Sequence, residues 1–331
     1  MAHPTMEDVA RRAGVSRALV SLVLNDSPKV SARRRAAVMD ACAVLGYRRN
    51  AAARQLASRR AGTIGVMLND LHNPFFAEIY DGIEAKADEH GLRLLLTGGS
   101  RRPSSEQRAI ENMIEHRVAG MILVSPRLPS SAVLAASRIS PVVVVGRVVR
   151  APQVDIVAND ERHGARLAVQ HLIDYGHRRI AHIHGGDGAG AEDRRKGYER
   201  MMRSRGLTPD VVDGDFTEEA GAAAARTLIA RRQIPTAVFA ANDLAAAGAL
   251  DAFESAGWRV PDDVSIIGYD NNFVARMRHV SLTTIDQSTE EMGRIAVELL
   301  QRRITDPHAV PVTHLVTPSL VARRTSGPAS G

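Results

Sequence analysis

The chain has 331 residues, 44% hydrophobic and 24% charged, which is ordinary globular material for about two domains at roughly 100–200 residues each. Its one cysteine, Cys42, excludes an internal disulfide framework and a cysteine-built zinc site. No apolar run approaches the ~20 residues that span a bilayer, and the N-terminus MAHPTMEDVARR lacks the apolar core of a secretory signal, so the expected place is the cytoplasm with no membrane partner.

The charge is unevenly spread. Residues 1–60 hold 12 Lys and Arg against 4 Asp and Glu, a balance of +8, whereas the whole chain is +6 and the remainder therefore −2. A basic head on a near-neutral body points to a polyanion-binding module joined to something else. Periodic apolar residues through the same segment argue against a merely solvated basic tail.

The head opens with Thr5, which can cap a helix, and Asp8 three residues on completes a capping box. Val9, Ala10 and Ala13 give that helix an apolar stripe, and Gly14 supplies a turn. Ser16 caps a second helix whose Leu19, Val20, Val23 and Leu24 repeat on one side. Ser31 starts a third, carrying Val38, Cys42 and Leu45 inward, with Gly46 as its stop; on that stripe Cys42 reads as packing. Two short helices at a Gly-containing turn, the second exposing Arg17, Ala18, Ser21 and Leu22, read as a helix-turn-helix. One α-helix fits the major groove. Arg17 can fork two donors onto guanine, Ala18 and Leu22 can pack on thymine methyls, and Ser16, Ser21 and Asn25 are short donors suited to phosphate.

The segments TMEDVARRAGVSRALVSLVLN and VSARRRAAVMDACAVLGYRRNAAARQLASRR resemble the DNA-binding head of the lactose-repressor/purine-repressor family of bacterial transcriptional regulators. The resemblance divides the chain into a helix-turn-helix domain (1–48), a hinge helix and linker (49–61), and a two-lobed effector-binding and dimerisation domain (62–331). It adds Thr5 to the DNA contacts and makes Asn50–Ser58 the hinge, where Asn50, Ala53 and Leu56 meet DNA. Leu56 would be the wedge pushed into the minor groove, which kinks the duplex. NAAARQLAS is Ala-rich but too short to be stable alone, as an element ordered on binding requires. Two departures stand out. Arg49 replaces the family's usual Pro, removing a preset helix start and adding a charge. Leu19 and Leu22 stand where Thr and Arg are common, so the operator sequence does not carry over.

From Thr63 onward strand-like runs alternate with amphipathic helices. TIGVMLND, LRLLLTGG, VAGMILVSP, PVVVVGR, RRIAHIHG, TAVFAAND, VSIIGYD and LTTIDQ read as strands. Helices are expected near 75–90, 104–117, 130–138, 161–175, 192–205, 219–232, 243–256 and 289–303. Continuous apolar strands alternating with helices mean parallel sheets covered on both faces, and two such sets suggest two similar lobes. The fold class is therefore α/β: an all-α head and a two-lobed core of parallel sheets. Ligands of such sheets bind beyond the carboxyl ends of the strands. Those ends carry Asn69–Asp70, Ser125, Arg147, Asn242–Asp243, Asp270 and Asp286–Gln287, which suit bidentate hydrogen bonding to hydroxyls.

LHNPFFAEI, HLIDYGHRRIAHI, RRKGY, VFAANDLAAAGAL, VPDDVSIIGYDN and LTTIDQ are similar to the periplasmic-binding-protein-like core of the same family. That resemblance implies effector contacts at Asn73, Phe75, Ser125, Arg147, Asn159, Arg194, Phe216, Asn242, Asp270 and Gln287. Arg194 would be the clamping arginine and Phe216 one wall of the cleft. The alternative for Asp243 and Asp270 is to hold loops, Asp243 as a helix cap. Arg147 and Arg194 can additionally favour an acidic or phosphorylated sugar. The one tryptophan, Trp258, lies between a helix and a strand on the side away from the strand ends, where it would not stack on a ligand.

His182 and His184 share one strand face, but no third ligand accompanies them, and no metal or cofactor is expected. Gly185, Gly186, Gly188 and Gly190 do not follow the GxGxxG spacing and suggest a mobile cleft loop. Two rival readings differ in class. A solute receptor for transport would need export and has no use for a +8 head. An enzyme would use Asp243 and Asp270 as an acid/base pair, without any nucleophile motif to support it. The expected function is a non-enzymatic, ligand-responsive repressor: a homodimer on a palindromic double-stranded operator, with a sugar-like effector between its lobes. The segment after Arg324 has no apolar heptad, so a dimer is expected and not a tetramer.

Overall fold

The computed structural model describes residues 4–24, 27–47 and 62–329, and the chain divides into two compact units, Met1–Gly62 and Thr63–Gly331.

The first unit holds α1 (Met6–Ala13), α2 (Arg17–Leu24) and α3 (Ala32–Leu45). Thr5 Oγ1 accepts the Asp8 amide at 3.3 Å while the Asp8 carboxylate accepts the Thr5 amide at 2.9 Å, the expected capping box. Gly14 and Gly46 take left-handed conformations (φ 65° and 62°) and end α1 and α3. Val9, Ala10, Val20, Val23, Val30, Val38, Ala41 and Cys42 form one small core. Burial raises the Cys42 thiol pKa, in keeping with a packing role.

The second unit is built as two α/β lobes. The first lobe's sheet runs β11-β5-β4-β3-β1-β2, all parallel, from β1 (Thr63–Leu68), β2 (Arg93–Gly98), β3 (Met121–Val124), β4 (Val142–Val145), β5 (Asp155–Asn159) and β11 (Thr313–Val316). Helices α4 (Pro74–Glu89) and α12 (Thr289–Thr305) cover one face through Ile79, Ile83, Met292, Val297 and Leu300. Each such side chain, when fully buried, contributes roughly 1.5–3 kcal/mol. Helices α5 (Pro103–Glu115) and α6 (Ser130–Ser137) cover the other through Ile110, Met113, Val133 and Ala136. The α4–α12 contact is backbone-close: a Cβ on Gly82 would stand 1.9 Å from the Glu290 carbonyl oxygen, and one on Gly293 2.2 Å from that of Ile79.

The second lobe has a parallel sheet in the order β7-β6-β8-β9, from β6 (Ile180–Ile183), β7 (Asp210–Val212), β8 (Ala237–Ala240) and β9 (Ser265–Ile267). Parallel bridges from Ile267 to Thr283 and Asp270 to Asp286 bring β10 (Thr284–Asp286) alongside, and β10 pairs antiparallel with β12 (Ser319–Val321). Helices α7 (Glu161–Asp174) and α8 (Ala191–Ser204) pack on one face, and α9 (Glu218–Ile229) and α10 (Asp243–Ser255) on the other. The short α11 (Phe273–Arg276) follows β9.

The chain passes between lobes three times: from β5 into α7, from β10 into α12, and from β11 into β12. All eight helices expected in this unit are present within three residues of their expected ends. Strands β5, β7, β11 and β12 and helix α11 were not foreseen. Among the described residues no helix is long and apolar enough to cross a membrane.

Candidate functional site

In the head, Ser16 Oγ accepts the Leu19 amide at 3.2 Å and starts α2. Arg17, Ala18 and Leu22 are exposed, Leu22 at 42%, while Val20 and Val23 on the opposite side are buried. Ser21 is half-buried. Arg35 of α3 donates to the carbonyls of Ser27 (2.8 Å) and Val23 (3.4 Å), which fixes the end of α2 against the third helix. The result is a short helix with a polar and small-residue first turn facing outward, the shape that enters a major groove. Thr5 is exposed, but its hydroxyl already donates to Asp8 at 2.7 Å. Asn25, Asn50, Ala53 and Leu56, and the whole expected hinge, lie outside the described residues.

Between the two lobes is a cavity at the carboxyl ends of the strands. Seven of the ten expected effector residues line it: Asn73, Phe75 and Ser125 from the first lobe, and Arg194, Phe216, Asn242 and Asp270 from the second. Arg147 and Asn159 line an adjoining, more open cavity that shares Ser125, Gly146 and Gly188 with the first. Gln287 stands behind the wall, fully buried, and donates to the Asp270 carboxylate at 2.6 Å, so it reaches the ligand space only through Asp270.

Local rules explain why these side chains sit where they do. Asn73 caps α4, accepting the Phe75 amide at 3.0 Å, with Pro74 at the first helical position. This turns Phe75 inward, edge-on to Phe76 at 5.3 Å. Asn242 caps α10 by accepting the Ala245 amide at 2.9 Å, and its amide donates to the Phe216 carbonyl at 3.3 Å. The expected cap, Asp243, is instead the first helical residue. Its carboxylate accepts from the Asn272 amide (3.0 Å) and the Thr284 hydroxyl (2.5 Å), so it holds loops, the other role foreseen for it. Ser125 (φ 49°) and Asp270 (φ 123°) occupy backbone conformations rare outside glycine, and both line the cleft. The expected mobile glycine loop is packed: Cβ atoms on Gly185 and Gly188 would meet the Phe216 ring at 2.4 and 2.1 Å.

Arg194 is 4% exposed. It donates Nε–H to Glu161 at 2.7 Å and Nη1–H to the Ala241 carbonyl at 2.5 Å, and its guanidinium lies 3.8 Å from the Tyr269 ring centroid and 5.4 Å from that of Phe216. Burial works against its charge, but Glu161, Tyr269 and Asp270 more than offset that and hold its pKa above the ordinary guanidinium value. Its charge is thus already matched, which removes it as the anion receptor foreseen from sequence. Burial raises the Asp270 pKa well above the usual carboxylate range, against the pull of Arg194 and with the push of Asp243. Burial likewise brings Asp243 to about 7, although its Thr284 and Asn272 hydrogen bonds lower it. Asp243 is sealed from the cavity, so the acid/base pair of the enzyme reading does not assemble at a ligand.

His182 is sealed too. Its Nδ1–H donates to the Phe239 carbonyl at 2.9 Å, its ring stacks on Phe239 at 4.8 Å, and burial lowers its pKa to about 3. Trp258 packs edge-on against Phe253 at 5.9 Å, near Arg179 and Thr236 at the starts of β6 and β8, away from the cleft.

The sequence reading missed Arg101, Arg127 and Glu161 on the cavity wall. Asn69 and Asp70, named as a strand end, are both on the wall. Glu161 follows β5, which went unread. Arg101 pairs across the cleft with Asp215 at 2.5–2.6 Å, a contact between residues 114 apart that no local spacing announces.

Comparison with known proteins agrees along the chain. The family described as "Bacterial regulatory proteins, lacI family" matches residues 5–50, and the "Periplasmic binding protein-like domain" matches residues 169–326. The HTH-type transcriptional repressor PurR of Photobacterium profundum is 33% identical over 326 residues, covering 97% of this chain and 98% of the relative. The solved Lac repressor dimer bound to operator and the anti-inducer ONPF superposes with a TM-score of 0.87 at 30% identity, over 98% of this chain and 100% of that one. The transcriptional regulator CelR–cellobiose complex gives 0.74 at 36% identity, over 97% and 99%. The helical head, the two-lobed parallel core and these matches over nearly the whole length establish that the chain belongs to the LacI family of DNA-binding transcriptional regulators, which are not enzymes.

Proposed function

We propose that this regulator is a homodimeric repressor controlled by a sugar-like effector bound between its lobes. The observation that carries the reading is the cavity itself: side chains from both lobes converge on one space rich in amides, carboxylates and arginine with Phe75 and Phe216 as apolar walls. Amide and carboxylate groups at strand ends suit vicinal hydroxyls, and aromatic rings suit the faces of a pyranose. Because three chain crossings join the lobes, a ligand touching both has a different free energy in open and closed forms. That difference is what couples it to DNA, typically by ~1–3 kcal/mol. The relative whose complex holds cellobiose, and the dimeric relative on its operator, support the effector class and the assembly. The residues proposed to read the palindromic operator are Ser16, Arg17, Ala18, Ser21 and Leu22, with Asn25, Asn50, Ala53 and Leu56 alongside.

A thermal-shift screen of the full chain against sugars and nucleosides tests the effector class, since ligand binding raises native stability by mass action. Sugars should raise the Tm, Phe216→Ala should lose most of the shift, and the same sugars should change operator affinity. Tight nucleobase binding without response to any carbohydrate overturns the effector class. A monomer mass in sedimentation at micromolar concentration overturns the dimer.

A further inference from the structure

The open half of the cleft differs chemically from the closed half. Ser125–Leu128, the loop after β3, is fixed from behind by Glu106 of α5, fully buried, whose carboxylate accepts the amides of Arg127 (2.8 and 2.9 Å) and Leu128 (2.9 Å). The Arg127 side chain lines both cavities. Its Nε is buried without a hydrogen-bond partner, and its guanidinium forms no ion pair among the described residues. Beside it, Arg147 donates to the carbonyls of Pro126 (2.5 Å) and Leu128 (3.3 Å), which orients it, and among the described residues it forms no ion pair. Asn159, 6% exposed on the same wall, has both amide atoms buried without partners.

The other charges around this space are matched or solvated. Glu161 is held by Arg194, Asp193 by Arg162 at 2.8 Å, and Glu192 by Arg195 at 2.8 Å, while Asp160 and Asp187 are exposed. What remains in the buried part of the wall is the positive charge of Arg127 and Arg147, with the Arg127 Nε–H and the Asn159 Nδ2 donors lacking acceptors and the Asn159 Oδ1 lacking a donor. A buried donor without an acceptor is costly, and an arginine meets an oxyanion best.

We propose that Arg127, with Arg147 and Asn159, forms an oxyanion subsite, so that the effector is an acidic sugar. Its hydroxyls would face Asp70, Asn73 and Asp270, and its carboxylate or phosphate would face Arg127. The proposal rests on the reading of the cleft as an effector site.

The test is calorimetry on the full chain with three ligand sets: glucose and galactose, their hexuronates, and their 6-phosphates. One acidic set should bind at least about tenfold tighter than the neutral parents, and which set does so separates carboxylate from phosphate. Arg127→Gln should remove most of that preference while leaving neutral-sugar affinity within about threefold. Because Glu106 grips the backbone of this loop and not the Arg127 side chain, the variant should melt like the wild type. Equal or better binding of the neutral parents, or an acid preference that survives Arg127→Gln, overturns the subsite. If no sugar of any set binds, or if binding is indifferent to Phe216→Ala, the effector reading itself fails.

Discussion

Two residues have roles sharp enough to be tested singly. Arg17 is exposed at the first position of α2, where a major-groove helix presents its base-reading side chains. Arg17→Ala should cost ~1–3 kcal/mol on the cognate operator and relax one base position, measured by anisotropy on operator variants. Equal loss on operator and random duplex would reduce Arg17 to a phosphate contact. Asp243 has its folded pKa raised to about 7 by burial, from the ordinary 3.8. The folded state therefore holds a proton that the unfolded state releases. The stability this confers is full below about pH 3.8 and is lost as pH rises through about 7. Asp243→Asn removes that titration, so urea midpoints of variant and wild type should diverge in the variant's favour between pH 5 and pH 8. Slope left in the variant comes from the other shifted groups, among them Asp270, which burial shifts the same way, and His182, whose lowered pKa acts in the opposite direction. Parallel pH profiles for the two proteins would show that Asp243 stays ionised.

Among the elements, the helices were legible and several strands were not, for a physical reason. Helix starts announce themselves locally: Thr5 with Asp8, Asn73 with Pro74, Asn242 before a run of small residues. Strand β5 begins with Asp155, fully buried, an unusual residue for a central strand until its partners are known. Those are Arg303 at 2.5 Å and the Val312 amide at 2.7 Å, 148 and 157 residues away. Strand β11 exposes three of its four residues, so no apolar pattern marks it. The cleft was readable where family motifs or strand ends carried it. It was unreadable where two distant residues make one feature, as with Arg101 and Asp215, or where a polar atom matters because nothing meets it, as with Arg127. The α4–α12 contact makes a further prediction. Gly82→Ala would force its methyl into the Glu290 carbonyl and should cost ~1–3 kcal/mol by chemical denaturation. Asp81→Ala, one position along on the exposed side, should change stability by less than ~0.5 kcal/mol.

At the scale of the molecule, most of the second lobe is inserted into the first, and the chain returns to the second lobe at its end through β12. Strands β1–β5 precede the inserted part, while α12 and β11 follow it. A chain ending at residue 288 should therefore lack Met292, Ala296, Val297, Leu300 and Val316 from one face of the first sheet. Hydrogen exchange on that truncation should find β1–β4 unprotected while residues 4–24 and 27–47 keep their protection, because the head has a core of its own. Native-like protection of β1–β4 would mean that the first lobe closes without α12. The same topology sets an order in time. On the ribosome the three helices of the head have their shared apolar core once residue 47 has emerged. The cavity between the lobes needs Asp270, and the first sheet needs Val316. At roughly 5–20 residues per second, this gap is on the order of 15–60 s. For that interval each new chain carries a folded DNA-reading module that no effector can address, and a stalled or clipped chain would keep it in that state.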